Sequence, residues 1–133
     1  SSAASDVYKR QDINETNREF VKFRAKKLGL EQKISFYKSV EDTYVNKFDS
    51  IVCLDVLEHL EDPALQLDKF YQIMEEDSIS IFNWYFYKGD NNEYPFHIDD
   101  EILIKNFFET LQYKFIEIFH PMLITTRVYK KRV

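Results

Sequence analysis

An acidic residue at the end of an apolar segment is followed, three and four residues later, by a glutamate and a histidine. Asp55 follows the apolar run Ile51–Leu54, and Glu58 and His59 come next. In a doubly wound sheet, functional groups lie just beyond the carboxyl ends of the strands. If a helical turn follows the strand, spacings of three and four place all three side chains on one side. The segment therefore predicts a site for chemistry.

The residue types in this segment suit either a metal ion or proton transfer. Two carboxylates and an imidazole are a suitable ligand set for Mg, Mn or Zn, and His97 is a candidate fourth ligand from a later loop. The predicted metal ligands are thus Asp55, Glu58, His59 and His97. Alternatively, His59 or His97 acts without a metal as an acid, a base or an orienting group for substrate. A purely structural role, in which Glu58 and His59 pack and hydrogen-bond the loop, is the third interpretation.

Length and composition indicate one folded domain and exclude several classes of protein. The 133 residues are 44% hydrophobic and 17% aromatic, which is enough for a folded core. The net charge of -5 argues against a broad phosphate-binding surface, so nucleic acid is not the expected partner. No apolar run approaches the roughly 20 residues that a membrane span needs. Cys53 is the only cysteine, and it favours a reducing, cytoplasmic setting.

Hydrophobic periodicity predicts alternating helices and strands from Asn14 onward. The predicted elements are a helix at Asn14–Leu28, strands at Lys33–Tyr37 and Lys47–Leu54, a helix from Pro63 to Glu75, a strand at Ser78–Asn83, a loop at Tyr85–Pro95, a helix from Asp99 or Asp100 to Leu111, and strands at Lys114–Phe119 and Met122–Tyr129. Asp62 is expected to cap the second of these helices, and Leu65 and Ile102 are expected to face inward from their helices. Within the strand at Lys47–Leu54, the run Ile51–Leu54 is apolar on both faces, which predicts that both faces are covered. The last two strands are joined by His120-Pro121, too short a connection for a parallel crossover, so they must be antiparallel.

The first 11 residues differ in character from the rest. They begin Ser-Ser-Ala-Ala-Ser and show no clear period. We expect residues 1–11 to be a non-native or disordered terminus, with a frayed native terminus as the alternative. The folded domain is expected over residues 12–133.

The segment Phe48–Pro63 carries a resemblance to a known family. Its pattern FDxIVCxDVLEHLxDP is similar to the fourth strand and following loop of the class I S-adenosylmethionine (SAM)-dependent methyltransferases. It looks closest to the small-molecule branch that includes the ubiquinone-pathway O-methyltransferases. The resemblance implies a Rossmann-like sheet of order 3-2-1-4-5-7-6 with strand 7 antiparallel, which agrees with the predicted terminal hairpin.

The resemblance also implies roles for individual residues. Asp12 would hold the ribose hydroxyls of SAM, unless it only caps a helix, and Ser39 and Val40 would lie in the adenine loop. Leu54 and Asp55 would flank the methionine end of the cofactor. Some ubiquinone-pathway and small-RNA 2′-O-methyltransferases look similar in having acid-x-x-Glu-His with a distant histidine. Their divalent ion would bind substrate hydroxyls and lower the hydroxyl pKa.

One family feature is absent from the sequence. Gly29 and Gly89 are its only glycines, so it has no Gly-x-Gly turn to hold the methionine half of SAM, and no strand before such a turn. We therefore expect a truncated methyltransferase sheet, the carboxyl-terminal portion of a longer enzyme, inactive alone. The expected function is SAM-dependent methyl transfer to a small-molecule acceptor, most simply at oxygen. A non-catalytic, methyltransferase-like binding or scaffold domain is the alternative.

Overall fold

The computed structural model describes residues 8–11, 14–44, 47–122 and 125–133, with only the backbone described for residues 8–11. The chain divides into two compact units, Ser1–Val45 and Asn46–Val133. No helix in the described part of the chain has the length and hydrophobicity that crossing a membrane requires.

The first unit is a strand, a helix and a second strand. Strands β1 (Tyr8–Gln11) and β2 (Ile34–Tyr37) pair in parallel, and helix α1 (Glu15–Lys27) lies between them in the chain. Helix α1 begins at Asn14, whose side chain accepts a hydrogen bond from the Asn17 N–H at 3.2 Å. The observed helix α1 confirms the helix predicted at Asn14–Leu28. Strand β1 contains the last four residues of the 1–11 segment, and the origin of that segment stays a prediction.

A four-stranded sheet forms the centre of the second unit. Its strands are β3 (Phe48–Cys53), β4 (Met74–Phe82), β5 (Phe115–Ile118) and β6 (Arg127–Lys131), in the order β3-β4-β6-β5. Strands β3 and β4 are parallel, whereas β6 is antiparallel to both β4 and β5. This arrangement confirms the 4-5-7-6 part of the order implied by the resemblance, including the antiparallel terminal pair.

Two helices follow the first two strands of this sheet. Helix α2 (Pro63–Ile73) begins at Asp62, whose carboxylate accepts from the Leu65 N–H at 2.9 Å. Helix α3 (Glu101–Lys114) begins at Asp100, whose carboxylate accepts from two N–H groups of the first turn. Both caps agree with the sequence pattern, because aspartate satisfies N–H groups that have no partner inside the helix.

The hydrophobic core of the second unit is centred on Phe82. Its ring lies 5.5 Å from Phe70, 5.7 Å from Phe115 and 5.8 Å from Tyr129, measured between ring centroids. Phe82 is fully buried. This core anchors the end of β4, and therefore fixes the point at which the chain leaves the sheet toward the candidate site.

Several details differ from the sequence prediction. Helix α2 ends at Ile73 and β4 begins at Met74, so the expected helix to Glu75 is too long and the strand expected from Ser78 starts earlier. Val52 is 62% exposed, so one face of β3 is not covered as expected, and β3 lies at the edge of its sheet. Leu65 and Ile102 are also exposed, although the helical pattern turned them inward. Finally, β6 begins at Arg127 and not at Met122, so its connection to β5 is longer than His120-Pro121.

Candidate active site

The carboxyl ends of β3 and β4 are joined by an amide side chain. Asn83 follows β4, and its Oδ1 accepts from the Asp55 N–H at 2.6 Å while its Nδ2 donates to Asp55 Oδ1 at 2.8 Å. The Asn83 N–H in turn donates to the carbonyl of Cys53 at 3.3 Å. No role for Asn83 was expected from the sequence. The available signal was its position: an amide side chain directly after β4, the strand that pairs with β3.

Asp55 turns the chain away from the sheet. Its φ is 53°, in the left-handed region that aspartate tolerates better than most residues. The chain then forms a short 3-10 turn at Leu57–His59. Leu57 is fully buried and Glu58 is only 3% exposed, so this turn is packed against the unit. The backbone thus presents Glu58 and His59 just beyond the end of the sheet.

The loop after β4 folds back over this turn. The Ile98 N–H donates to the Glu58 carbonyl at 2.8 Å, and Lys88 pairs with Asp99 at 3.0 Å. Gly89 suits this loop because its φ of 86° is one that residues with a side chain rarely adopt. These contacts bring His97 close to Glu58 and His59. This placement agrees with the expectation that a later loop supplies His97 to the group.

Glu58, His59 and His97 form a compact cluster. One ligand atom from each lies within 4.8 Å of the others, and the two imidazole centroids are 4.7 Å apart. His59 Nδ1 lies 3.4 Å from the Phe96 carbonyl oxygen, and His97 Nδ1 lies 3.1 Å from that of Tyr87. A carbonyl oxygen only accepts, so each Nδ1 is assigned the proton. In the neutral imidazole Nε2 is then the basic nitrogen, able to take a proton or bind a metal.

The buried carboxylate of Glu58 fits a cation at this cluster. Its Oε2 is buried and has no hydrogen-bond partner among the described residues. A buried carboxylate oxygen without a partner is costly, and a bound cation would relieve that cost. Burial first, and the charge of Glu58 second, raises the pKa of Cys53 to about 12, so this thiol is protonated at neutral pH. Glu58, His59 and His97 are therefore an oxygen-plus-two-nitrogen set that suits a divalent ion.

Asp55 does not belong to this cluster, contrary to the expected four-ligand set. The prediction assumed a helical turn directly after the strand, which would place Asp55 with Glu58 and His59. The positive φ of Asp55 breaks that path, and its carboxylate is hydrogen-bonded to Asn83 instead. The described residues thus bring together three of the four predicted ligands.

The predicted cofactor residues fall into separate parts of the chain. Asp12 lies outside the described residues. In the first unit, Ser39 Oγ accepts from the Glu41 N–H at 3.1 Å, and Val40 is buried with its carbonyl accepting from Thr43. In the second unit, Leu54 is 42% exposed at the end of β3, immediately before Asp55. Their contacts with a cofactor stay predictions.

Exposed aromatic residues surround His97. Tyr94 stacks on its ring at 5.0 Å, and Tyr85 meets it edge-on at 5.7 Å. Tyr85 and Tyr94 are each about half exposed. The imidazole of His97 therefore lies beside a partly open aromatic surface, which suits a flat or apolar ligand.

Comparisons with known proteins identify the fold. No protein-family model and no curated protein matches the chain. Among solved structures, N-methyltransferase NodS from Bradyrhizobium japonicum WM9, in complex with S-adenosyl-L-homocysteine (SAH), matches at TM-score 0.67 and 15% identity. The match covers 94% of this chain and 66% of NodS.

Two further solved structures of methyltransferases also match the chain. A putative type 11 methyltransferase from Sulfolobus solfataricus matches at TM-score 0.64 and 16% identity, over 96% of this chain and 72% of that one. A SAM-dependent O-methyltransferase from Thermotoga maritima matches at TM-score 0.58 and 11% identity, over 96% and 51%. The chain thus spans between half and about three quarters of these structures. It has the fold of the class I methyltransferases.

Proposed function

We propose that this chain belongs to a SAM-dependent methyltransferase and that it forms the acceptor side of the active site. The observation that carries the proposal is the Glu58, His59 and His97 cluster. It lies beyond the carboxyl ends of two parallel strands, in a fold shared with methyltransferases that include one in complex with SAH. Ligands of open α/β sheets bind at that edge.

The residues of the cluster suit the proton that methyl transfer releases. A bond forms between the acceptor oxygen and the methyl carbon while the carbon–sulfur bond of SAM breaks, and its electron pair stays on sulfur to give SAH. The acceptor proton must leave, and Nε2 of His59 or His97 would accept it. Because both Nδ1 atoms face backbone carbonyls, the two rings are held in fixed orientations. Orientation of the acceptor is the second requirement of such a displacement.

A divalent cation is the alternative to proton transfer by these histidines, because an ion bound at Nε2 would occupy the nitrogen that would otherwise accept the proton. Glu58, His59 and His97 would hold it, and the unpartnered Oε2 of Glu58 supports that assignment. Such an ion, when bound, supplies a positive charge that lowers the pKa of an acceptor hydroxyl. Mg, Mn and Zn all accept oxygen and nitrogen ligands.

A small molecule is the acceptor that we propose. The partly exposed rings of Tyr85 and Tyr94 beside His97 favour a flat or apolar acceptor. The net charge of -5 disfavours a polyphosphate acceptor. SAM would lie beyond β3, with Leu54 and Asp55 against its methionine end. The roles of Asp12, Ser39 and Val40 toward its nucleoside part stay predictions of the resemblance.

The experiment for this function follows the methyl group. Protein made from the complete gene is incubated with methyl-labelled SAM and a cell extract, and the label is then separated into small-molecule, protein and nucleic-acid fractions. We expect label in the small-molecule fraction, and a loss of about a hundredfold or more in His59→Ala and His97→Ala. Glu61→Ala, an exposed neighbour, is the matched control. Label only in protein or nucleic acid would contradict the small-molecule acceptor.

A scaffold role is the second candidate, and the glycine content favours it. The 133 residues contain only Gly29 and Gly89, in no Gly-x-Gly turn, so they lack the close-approach loop that a SAM carboxylate needs. We expect these residues alone to bind SAM weakly. Protein from the complete gene that also fails to bind SAM would favour the non-catalytic role.

A further inference from the structure

A cavity lies apart from the Glu58, His59 and His97 cluster. It is formed by the end of α3 with strands β5 and β6, and its volume is about 370 Å³. Its walls include Trp84, Phe108, Phe115, Glu117, Arg127 and Arg132. None of its lining residues belongs to the cluster. The volume is near the lower end of the range of small-ligand sites and suits a molecule of one or two rings.

Fixed aromatic side chains form the apolar walls of this cavity. Trp84 meets Phe107 at 5.0 Å and Phe108 at 5.8 Å between centroids, and both contacts are edge-on. Phe115 is 2% exposed and Phe107 is fully buried. The rings are therefore held in place before any ligand binds, which reduces the entropy lost on binding a planar molecule.

The charged side chains of the cavity are mainly cationic. Arg127 lies 5.8 Å from the Trp84 ring, and its Nη1 is 3.3 Å from Glu117 Oε2. Arg132 Nη2 donates to the carbonyls of Gln112 and Phe115. Two guanidinium groups thus share the cavity with one carboxylate, in a chain whose net charge is -5. Arg132 donates to the backbone, whereas Arg127 is paired with the side chains of Glu117 and Tyr129, so Arg127 is the cation that a ligand could engage by exchanging side-chain partners.

The pair between Arg127 and Glu117 can yield to a ligand. Both side chains are about half exposed, and such surface pairs contribute only about 0–1 kcal/mol. A ligand carboxylate offers the guanidinium two parallel hydrogen bonds in a partly enclosed setting. Tyr129 also lines the cavity and keeps its proton, since burial first, and Glu117 second, raises the pKa of its phenol to about 12.

We propose that this cavity binds a small aromatic carboxylate, with its ring against Trp84 and Phe108 and its carboxylate on Arg127. The site is separate from the proposed methyl-transfer site and does not depend on it. Trp84 is the only tryptophan in the chain, so its indole N–H gives a single NMR signal that reports directly on the cavity.

The test is an NMR titration of the full chain, labelled with ¹⁵N, with 2-naphthoate and with its neutral analogue 2-naphthamide. We expect 2-naphthoate to shift the Trp84 indole signal saturably, and 2-naphthamide to bind about tenfold more weakly. Arg127→Gln should weaken naphthoate binding by about tenfold. Glu117→Gln should strengthen it severalfold, because the variant removes the carboxylate that competes for Arg127 while keeping the cavity.

Lys105→Gln is the matched control, because Lys105 is an exposed cation of α3 paired with Glu109 and does not line the cavity. It should bind naphthoate as the unmodified chain does. The proposal is overturned if the indole signal does not shift, if the amide binds as well as the acid, or if Glu117→Gln weakens binding. Glu117→Gln keeps the test decisive even if Arg127→Gln fails to fold, since it leaves Arg127 in place.

Discussion

Asn83 holds Asp55 by two hydrogen bonds, accepting from its backbone N–H at 2.6 Å and donating to its carboxylate at 2.8 Å. One amide thereby joins the carboxyl ends of two parallel strands and fixes a residue with a φ of 53°. The direction in which the chain leaves β3, and hence the position of Glu58 and His59, depends on this pair.

Replacing Asn83 should measure the strength of this pair. We expect Asn83→Ala to lower the free energy of unfolding by about 1–2 kcal/mol, because two partly exposed hydrogen bonds are lost. Asn83→Asp should cost at least as much, since it sets a second carboxylate beside Asp55. Urea denaturation provides the measurement. Asn91→Ala, whose side-chain bond stays within its own loop, should change little. An Asn83→Ala variant as stable as the unmodified chain would show that the pair is not structural.

The start of helix α2 gives a second prediction. Asp62→Ala should lower the free energy of unfolding by about 1 kcal/mol, because the Leu65 N–H loses its acceptor. Asp62→Asn should restore most of that loss, since asparagine also caps helices well. Glu61→Ala is the control at the adjacent exposed position. Equal stability of Asp62→Ala and Asp62→Asn would contradict the capping role.

Because of the buried thiol of Cys53, the free energy of unfolding should fall at alkaline pH. Burial, and then Glu58, raises its pKa from 9.0 to about 12. Below pH 9 the thiol is protonated in the folded and unfolded chain alike, so its full contribution to stability is present. Above pH 9 only the unfolded chain loses the proton, so that contribution falls as pH rises toward 12.

A comparison with Cys53→Ala isolates this effect. Between pH 8 and pH 10, the stability advantage of the unmodified chain over the variant should shrink by about 1 kcal/mol. Urea denaturation at both pH values measures it, and the other titrating groups cancel because the two proteins share them. A constant advantage would mean that the thiol titrates normally in the folded chain.

Metal binding by the cluster can be tested without any activity. Titration of the chain with Mn²⁺, followed by the electron paramagnetic resonance of the free ion, should show one site. Glu58→Gln and His97→Ala should each weaken that site by about tenfold or more, because each removes one of three ligands. Glu61→Gln should leave it unchanged. Equal binding of Mn²⁺ by Glu58→Gln and by the unmodified chain would contradict the proposed metal site.

The sequence predicted well the features that depend on neighbouring residues. The caps at Asp62 and Asp100 follow from local hydrogen bonding, and the antiparallel pairing of β5 with β6 follows from a connection too short for a crossover. It also predicted that His97 joins Glu58 and His59. The residue types and their spacing were sufficient for these features.

The sequence mispredicted features that depend on distant contacts. Asp55 was grouped with Glu58 and His59 because a helical turn was assumed, but its conformation is set by Asn83, from the end of another strand. The exposure of Val52 depends on which strand lies at the sheet edge, a property of the topology and not of the residues in β3.

The proposed function requires that this chain forms part of a SAM site. Titration calorimetry of protein from the complete gene with SAH tests it most directly, with Asp55→Asn beside it. This variant tolerates the same φ and keeps an oxygen for Asn83, so only the charge is lost. We expect one saturable site, weakened by about tenfold in Asp55→Asn and unchanged in Glu61→Gln. Absence of SAH binding by the unmodified protein, or equal binding by Asp55→Asn, would contradict it.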